Sequence, residues 1–154
     1  MTNFNSQKAI VFIDAAVADY QSLVAGVNPD TEVIIIDAAK DGIYLMTDVL
    51  ASRSDISAVH IVAHGSPGCL YLGNSQLSLD TLSRYAAQLQ NWKTVECDRT
   101  LLLYGCNVAV GDAGAEFIAK LHQLTGANIA AATNKIGNAE LGGNWNLAYT
   151  TGEI

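Results

Sequence analysis

Two residues of the chain have the type and the setting for thiol chemistry. His64 closes an apolar run in "HIVAHGSPG" (60–68), and Cys106 closes another in "TLLLYGCNVA" (100–109). A cysteine becomes a nucleophile when a base or a cation favours its thiolate. Histidine is the side chain that can supply such a base near neutral pH. The oxyanion formed on attack needs N–H donors waiting for it. Gly65 follows the histidine and Gly105 precedes the cysteine, and a residue without Cβ lets a substrate come close to the backbone. The N–H groups of Gly65 and Cys106 are the expected oxyanion donors. Each residue also has a plain structural reading: the thiol as a small core residue, the His-Gly pair as a turn after a strand. Both readings stay open until the two residues are placed on one sheet edge.

The elements that must position them can be read from the hydropathy pattern. Short apolar runs predict buried strands at 8–13, 31–37, 57–64, 100–105 and 127–133, with a last strand at 144–150. Helical spacing predicts helices at 17–26, 41–53, 78–92 and 112–126, with Ser78 or Asp80 as a cap and Gly126 as a left-handed stop. A hairpin is expected over 69–78 with Gly73-Asn74 as its turn. Strands and helices alternate, and the early strands are continuously apolar, as strands buried on both faces are. The expected fold is a single-domain α/β three-layer sandwich with a mostly parallel sheet of about six strands. Ligands of such sheets bind beyond the carboxyl ends of the strands. Asp14, Asp37, His64, Cys106 and Thr133 all fall there.

Composition removes several function classes. The chain has 154 residues, half of them hydrophobic and 15% charged, which suits one globular domain with a substantial core. Its net charge is −7 with Lys and Arg scattered singly, so no basic stripe serves a nucleic-acid backbone or an anionic membrane surface. No apolar run is long enough to span a bilayer. The N-terminal "MTNFNSQKAI" has no signal-peptide core, so the chain is expected to be cytoplasmic or exported by a signal-less route. Three cysteines, Cys69, Cys97 and Cys106, do not make a disulfide framework. They and the three histidines show no paired zinc spacing, and "GDAGAEF" lacks the end of a phosphate loop, so no metal or cofactor is expected.

The remaining candidates have competing roles. Asp37 fits a cap before the 41–53 helix, His60 a satisfied core position, and His122 a surface position. Cys69, five residues after His64, is near enough in sequence to approach the site or compete as nucleophile, but its setting between Gly68 and Leu70 lacks a strand-end presentation. The thiolate of Cys97 is disfavoured by its neighbours Glu96 and Asp98. "HGSPG" suggests an oxyanion loop of an α/β-hydrolase, but neither Cys106 nor Ser66 sits in a G-x-S-x-G elbow. The loop "NKIGNAELGGNW" (134–145) either covers the site or simply connects to the last strand.

An apolar strand ending in His-Gly, followed 42 residues later by a Cys at another strand end, resembles the caspase-like cysteine peptidases. That group includes caspases, metacaspases, gingipains, separases and bacterial CHAT domains. The resemblance implies His64 as general base or acid, Cys106 as nucleophile, and the N–H groups of Gly65 and Cys106 as the oxyanion hole. It also implies that Asp14 lies in the substrate pocket, paired with an Arg or Lys of a peptide or protein substrate, which includes the protein's own precursor; the plain reading of Asp14 is a strand-end residue that caps the following turn. "YGCNVAVG" looks more like the surroundings of the cysteine in CHAT domains than like the caspase signature. Across most of its length the chain also resembles a bacterial domain of unknown function found near the N-terminus of large surface or secreted repeat proteins. "IVFIDAAVADYQSLVAG", "DISAVHIVAHGSPGCLYLGN", "LLLYGCNVAVGDAGAEFIAKLHQLTGANIAAATN" and "LGGNWNL" carry that likeness. Two functions follow as expectations: a cysteine peptidase or self-processing domain, or a non-catalytic recognition or adhesion module that keeps the peptidase-like fold.

Overall fold

In the computed structural model of the chain, residues 8–17, 31–53, 55–92, 99–105, 107–131 and 149–151 are described. In chain order the elements are β1 (Lys8–Asp14), β2 (Glu32–Ile36), α1 (Gly42–Ala51), β3 (Ile56–Val62), β4 (Gly65–Ser66), β5 (Cys69–Leu72) and β6 (Ser75–Ser78). They continue with α2 (Leu79–Leu82), α3 (Ala86–Gln90), β7 (Thr100–Tyr104), α4 (Gly111–Thr125), β8 (Asn128–Ala131) and β9 (Tyr149–Thr151).

Branched aliphatic residues dominate the central strands, and their side chains pack well on a pleated surface buried on both sides. The six-stranded sheet has the order β2-β1-β3-β7-β8-β9. Every neighbouring pair from β2 to β8 is parallel, and β9 joins β8 antiparallel. This is the expected α/β fold with a mostly parallel sheet flanked by helices. One face of the sheet, with Phe12, Ile61, Leu101 and Leu103, packs against Ile43, Met46 and Leu50 of α1 and Phe117, Ile118 and Leu121 of α4. The opposite face carries Val11, Ile13 and Val62, with Val17, Val33, Ile35 and Tyr104 beside them. Beyond Val17, the helix expected over 17–26 lies outside the described residues, as do Thr133, the 134–145 loop and the first part of the expected last strand.

The hairpin forms as expected, Leu72 opposite Ser75, and β4 adds a third antiparallel strand to it. Gly73 takes a φ of 64°, and a Cβ there would meet the Lys40 carbonyl oxygen at 2.0 Å, so only glycine fits the turn. Two expectations change. The single helix over 78–92 is two short helices, because the chain breaks at 83–85, where buried Tyr85 gives its hydroxyl to Asp41 Oδ2 at 2.7 Å. The cap of α1 is Asp41, whose Oδ1 accepts from the N–H groups of Ile43 and Tyr44. Asp37 closes only its own turn, accepting from Ala39 N–H.

Two buried polar groups tie the lower end of the sheet together. Trp92 donates to Thr47 Oγ1 at 2.8 Å, and Thr47 donates to the Ile43 carbonyl. The guanidinium of Arg99, 3% exposed, donates to the carbonyls of Ile56, Trp92, Leu50 and Arg53. A planar fork of five N–H donors suits such a ring of acceptors.

Candidate functional site

The candidate site lies where the sheet reverses its winding. Because β2 lies on one side of β1 and β3 on the other, the order switches between β1 and β3, and the crevice above that switch is where open α/β sheets bind ligands. The carboxyl ends of β1, β3 and β7 bring Asp14, His64 and Gly105 toward this edge. Val62, the last residue of β3, pairs with Tyr104, the last residue of β7. His64 and Cys106 each stand two residues beyond that pair. Cys106 itself lies outside the described residues, and both of its chain neighbours are inside them.

Close glycine packing joins the two strand ends. A Cβ on Gly105 would lie 3.4 Å from the Gly65 Cα and 2.5 Å from Leu70 Cδ2, and one on Gly65 would lie 3.1 Å from Gly105 backbone atoms. Beyond Cys106 the chain turns through Asn107, a non-glycine residue at a left-handed φ of 58°. Asparagine tolerates that region better than most residues. Val110 N–H closes the turn on the Asn107 carbonyl, and Gly68 N–H of the hairpin donates to the Val108 carbonyl at 2.8 Å. The Gly68 bond thus stitches the hairpin segment to the 107–110 loop.

His64 is exposed, and its Nε2 lies 3.0 Å from the Ala16 carbonyl oxygen. A carbonyl only accepts, so Nε2 carries the proton, and in the neutral ring Nδ1 is the free basic nitrogen. The His64 carbonyl accepts from Tyr71 N–H at 3.0 Å, which ties the backbone to the hairpin. Tyr71 is 39% exposed, and its hydroxyl lies 3.3 Å from Ser66 Oγ.

Asp14 is 2% exposed. Its Oδ1 accepts from Ala16 N–H at 2.8 Å and its Oδ2 from Gly73 N–H at 2.6 Å. The Ala16 contact is the cap on the following turn expected of a strand-end Asp.

His60 is half-buried, one of the positions expected to be satisfied within the core. Its ring stacks on Tyr104 with centroids 5.8 Å apart, and Nδ1 is 3.3 Å from the Tyr104 hydroxyl. Burial pushes the His60 pKa down and that of Tyr104 up. Cys69 is 9% exposed in β5 opposite Ser66. Burial raises its thiol pKa, which the hydroxyls of Tyr71 and Ser66 partly oppose. His122, expected on the surface, is half-buried, and its Nδ1–H donates to the Ala127 carbonyl at 2.7 Å, closing the end of α4. Cys97 lies outside the described residues. Among the described residues no three His, Cys, Asp or Glu side chains group as metal ligands, and no helix is long and apolar enough to cross a membrane. Sequence reasoning missed the Ala16 carbonyl and Tyr71, because one is a main-chain atom of a turn and the other an exposed aromatic without a motif.

Fold and edge together define an α/β protein with a histidine held at the switch point of a mostly parallel sheet. The chain belongs to the family described as a domain of unknown function, DUF4347, whose profile matches residues 10–154. No curated protein matches it. Among solved structures it is similar to caspase-1 from Spodoptera frugiperda, at 13% identity and a TM-score of 0.37, covering 66% of this chain and 48% of that one. The chain therefore spans about half the length of that caspase. With a likeness this distant, the assignment of the fold rests on the strand order itself.

Proposed function

We propose that the domain is a caspase-like cysteine peptidase, or a domain that cleaves its own longer precursor, with Cys106 as nucleophile and His64 as base. The observation that carries this reading is the register of β3 against β7. Val62 pairs with Tyr104 at the ends of these adjacent parallel strands, and His64 and Cys106 each follow that pair by two residues in the sequence. The glycines beside them are in close approach. His64 adds a second support, since Nε2 is engaged by Ala16 and Nδ1 is left for the thiol.

In the proposed reaction Nδ1 of His64 takes the thiol proton, and Sγ of Cys106 attacks the peptide carbonyl carbon. The N–H groups of Gly65 and Cys106 receive the oxyanion. Collapse of the tetrahedral intermediate breaks the C–N bond, and the imidazolium returns its proton to the leaving amine. Water, deprotonated by the same imidazole, then hydrolyses the thioester. The reaction needs no cofactor.

The test is alkylation by iodoacetamide at pH 7, read by intact mass and peptide mapping. The expected result is one fast adduct on Cys106, absent in Cys106→Ala and slowed about 10²-fold in His64→Ala. Labelling that falls on Cys69 or Cys97, or that ignores His64→Ala, removes the peptidase reading. What then remains is a non-catalytic recognition or adhesion module, for which Cys106→Ser changes nothing.

A further inference from the structure

Asp14 belongs to a closed ring of hydrogen bonds around His64. Its Oδ1 takes the Ala16 N–H, the Ala16 carbonyl takes the His64 ring, and the His64 carbonyl takes the Tyr71 N–H. Two residues further along the hairpin, Gly73 N–H returns to Asp14 Oδ2. The ring is stiff at both ends. Ala15 N–H bonds to the Ile36 carbonyl and Val17 N–H to the Asp14 carbonyl, while the Gly73 turn admits no other residue.

We propose that Asp14 is a positioning residue for His64, whose buried carboxylate clamps the 14–16 turn to the hairpin and thereby holds the Ala16 carbonyl against the imidazole Nε2. The proposal rests on His64 being the base of the site. It gives the first strand end a role in setting the tautomer instead of in binding substrate. An ionised carboxylate accepts and never donates. Asparagine at the same place replaces one acceptor oxygen with an NH2 donor that meets a facing N–H, so the clamp opens on one side while size and shape are kept.

The test follows the His64 side chain by 1H–15N NMR in the full chain, native and Asp14→Asn. Expected in the native protein are the Nε2–H tautomer and slow exchange of that proton. In Asp14→Asn the proton exchanges about ten-fold faster and the Nδ1–H tautomer grows, with Asp14→Glu partly restoring both. Signals of His64 unchanged in a folded Asp14→Asn protein overturn the proposal. If that variant does not fold, amide exchange in the native chain decides. Ala16 and Gly73 amides as protected as those of β3 support the clamp, and exchange at the rate of an unstructured peptide overturns it. An inert Cys106 beside an intact His64 tautomer defeats only the peptidase reading. A reactive Cys106 whose rate and His64 signals ignore Asp14→Asn defeats only the clamp.

Discussion

Gly65 and Gly105 face one another across the ends of β3 and β7, so close that a Cβ on Gly105 would lie 3.4 Å from the Gly65 Cα. Each follows a strand buried in the sheet, and each adjoins one of the two residues proposed to do chemistry. The contact lets two backbones meet where most residues would hold them apart.

The glycines therefore set the first prediction. Gly105→Ala puts a methyl 2.5 Å from Leu70 Cδ2 and 2.7 Å from Val108 Cγ2, and Gly65→Ala puts one 2.7 Å from Val108 Cγ2. Overpacking of this kind costs about 1–3 kcal/mol, which urea unfolding measures. Both substitutions should also slow alkylation of Cys106, because they part the strand ends. Gly111→Ala is the control. Its φ is 71° but nothing lies within 4 Å of its Cβ, so the substitution costs only the backbone strain of about 1 kcal/mol.

Arg99 is the second. Arg99→Met keeps the aliphatic length of the side chain and removes the guanidinium donors to the carbonyls of Ile56, Trp92, Leu50 and Arg53. Loss of several buried hydrogen bonds to a charged group predicts a destabilisation of about 2–3 kcal/mol. The readout is the denaturation midpoint, followed through the fluorescence of buried Trp92. A midpoint within error of the native protein would show that the guanidinium contributes nothing net.

The third prediction concerns acid. Burial lowers the His60 pKa from its ordinary 6.5, so the unfolded chain takes up a proton that the folded chain refuses. Stability is fully present above the unfolded value and falls as pH drops below about 6.5 toward the folded pKa. His60→Phe keeps a ring against Tyr104 and removes the proton. The stability of that variant should be flatter over this window than the native curve. An equal acid slope in both proteins assigns the effect to other groups.

Much of the chemistry-bearing edge was legible before any coordinates. Asp14 and His64 stand at or just beyond strand ends because aliphatic runs stop there, and the Gly73-Asn74 turn and the Gly126 stop follow from backbone rules. The split of the 78–92 helix was not legible, since it depends on Tyr85 reaching Asp41, 44 positions away. The cap that Asp14 places on Ala16 N–H was legible as the habit of a strand-end Asp, whereas its bond to Gly73 N–H, 59 positions away, was not.

By itself the sequence determined which segments are buried strands, that they alternate with helices, and that a histidine and a cysteine follow two of them. Those are local properties, set by the spacing of apolar side chains along a few turns or pleats. Strand order, the pairing of Val62 with Tyr104, and the ring that links Asp14, Ala16, His64 and Gly73 came only from the tertiary structure. Such contacts join residues far apart in the chain, and they depend on how whole layers pack, which no short window of residues encodes.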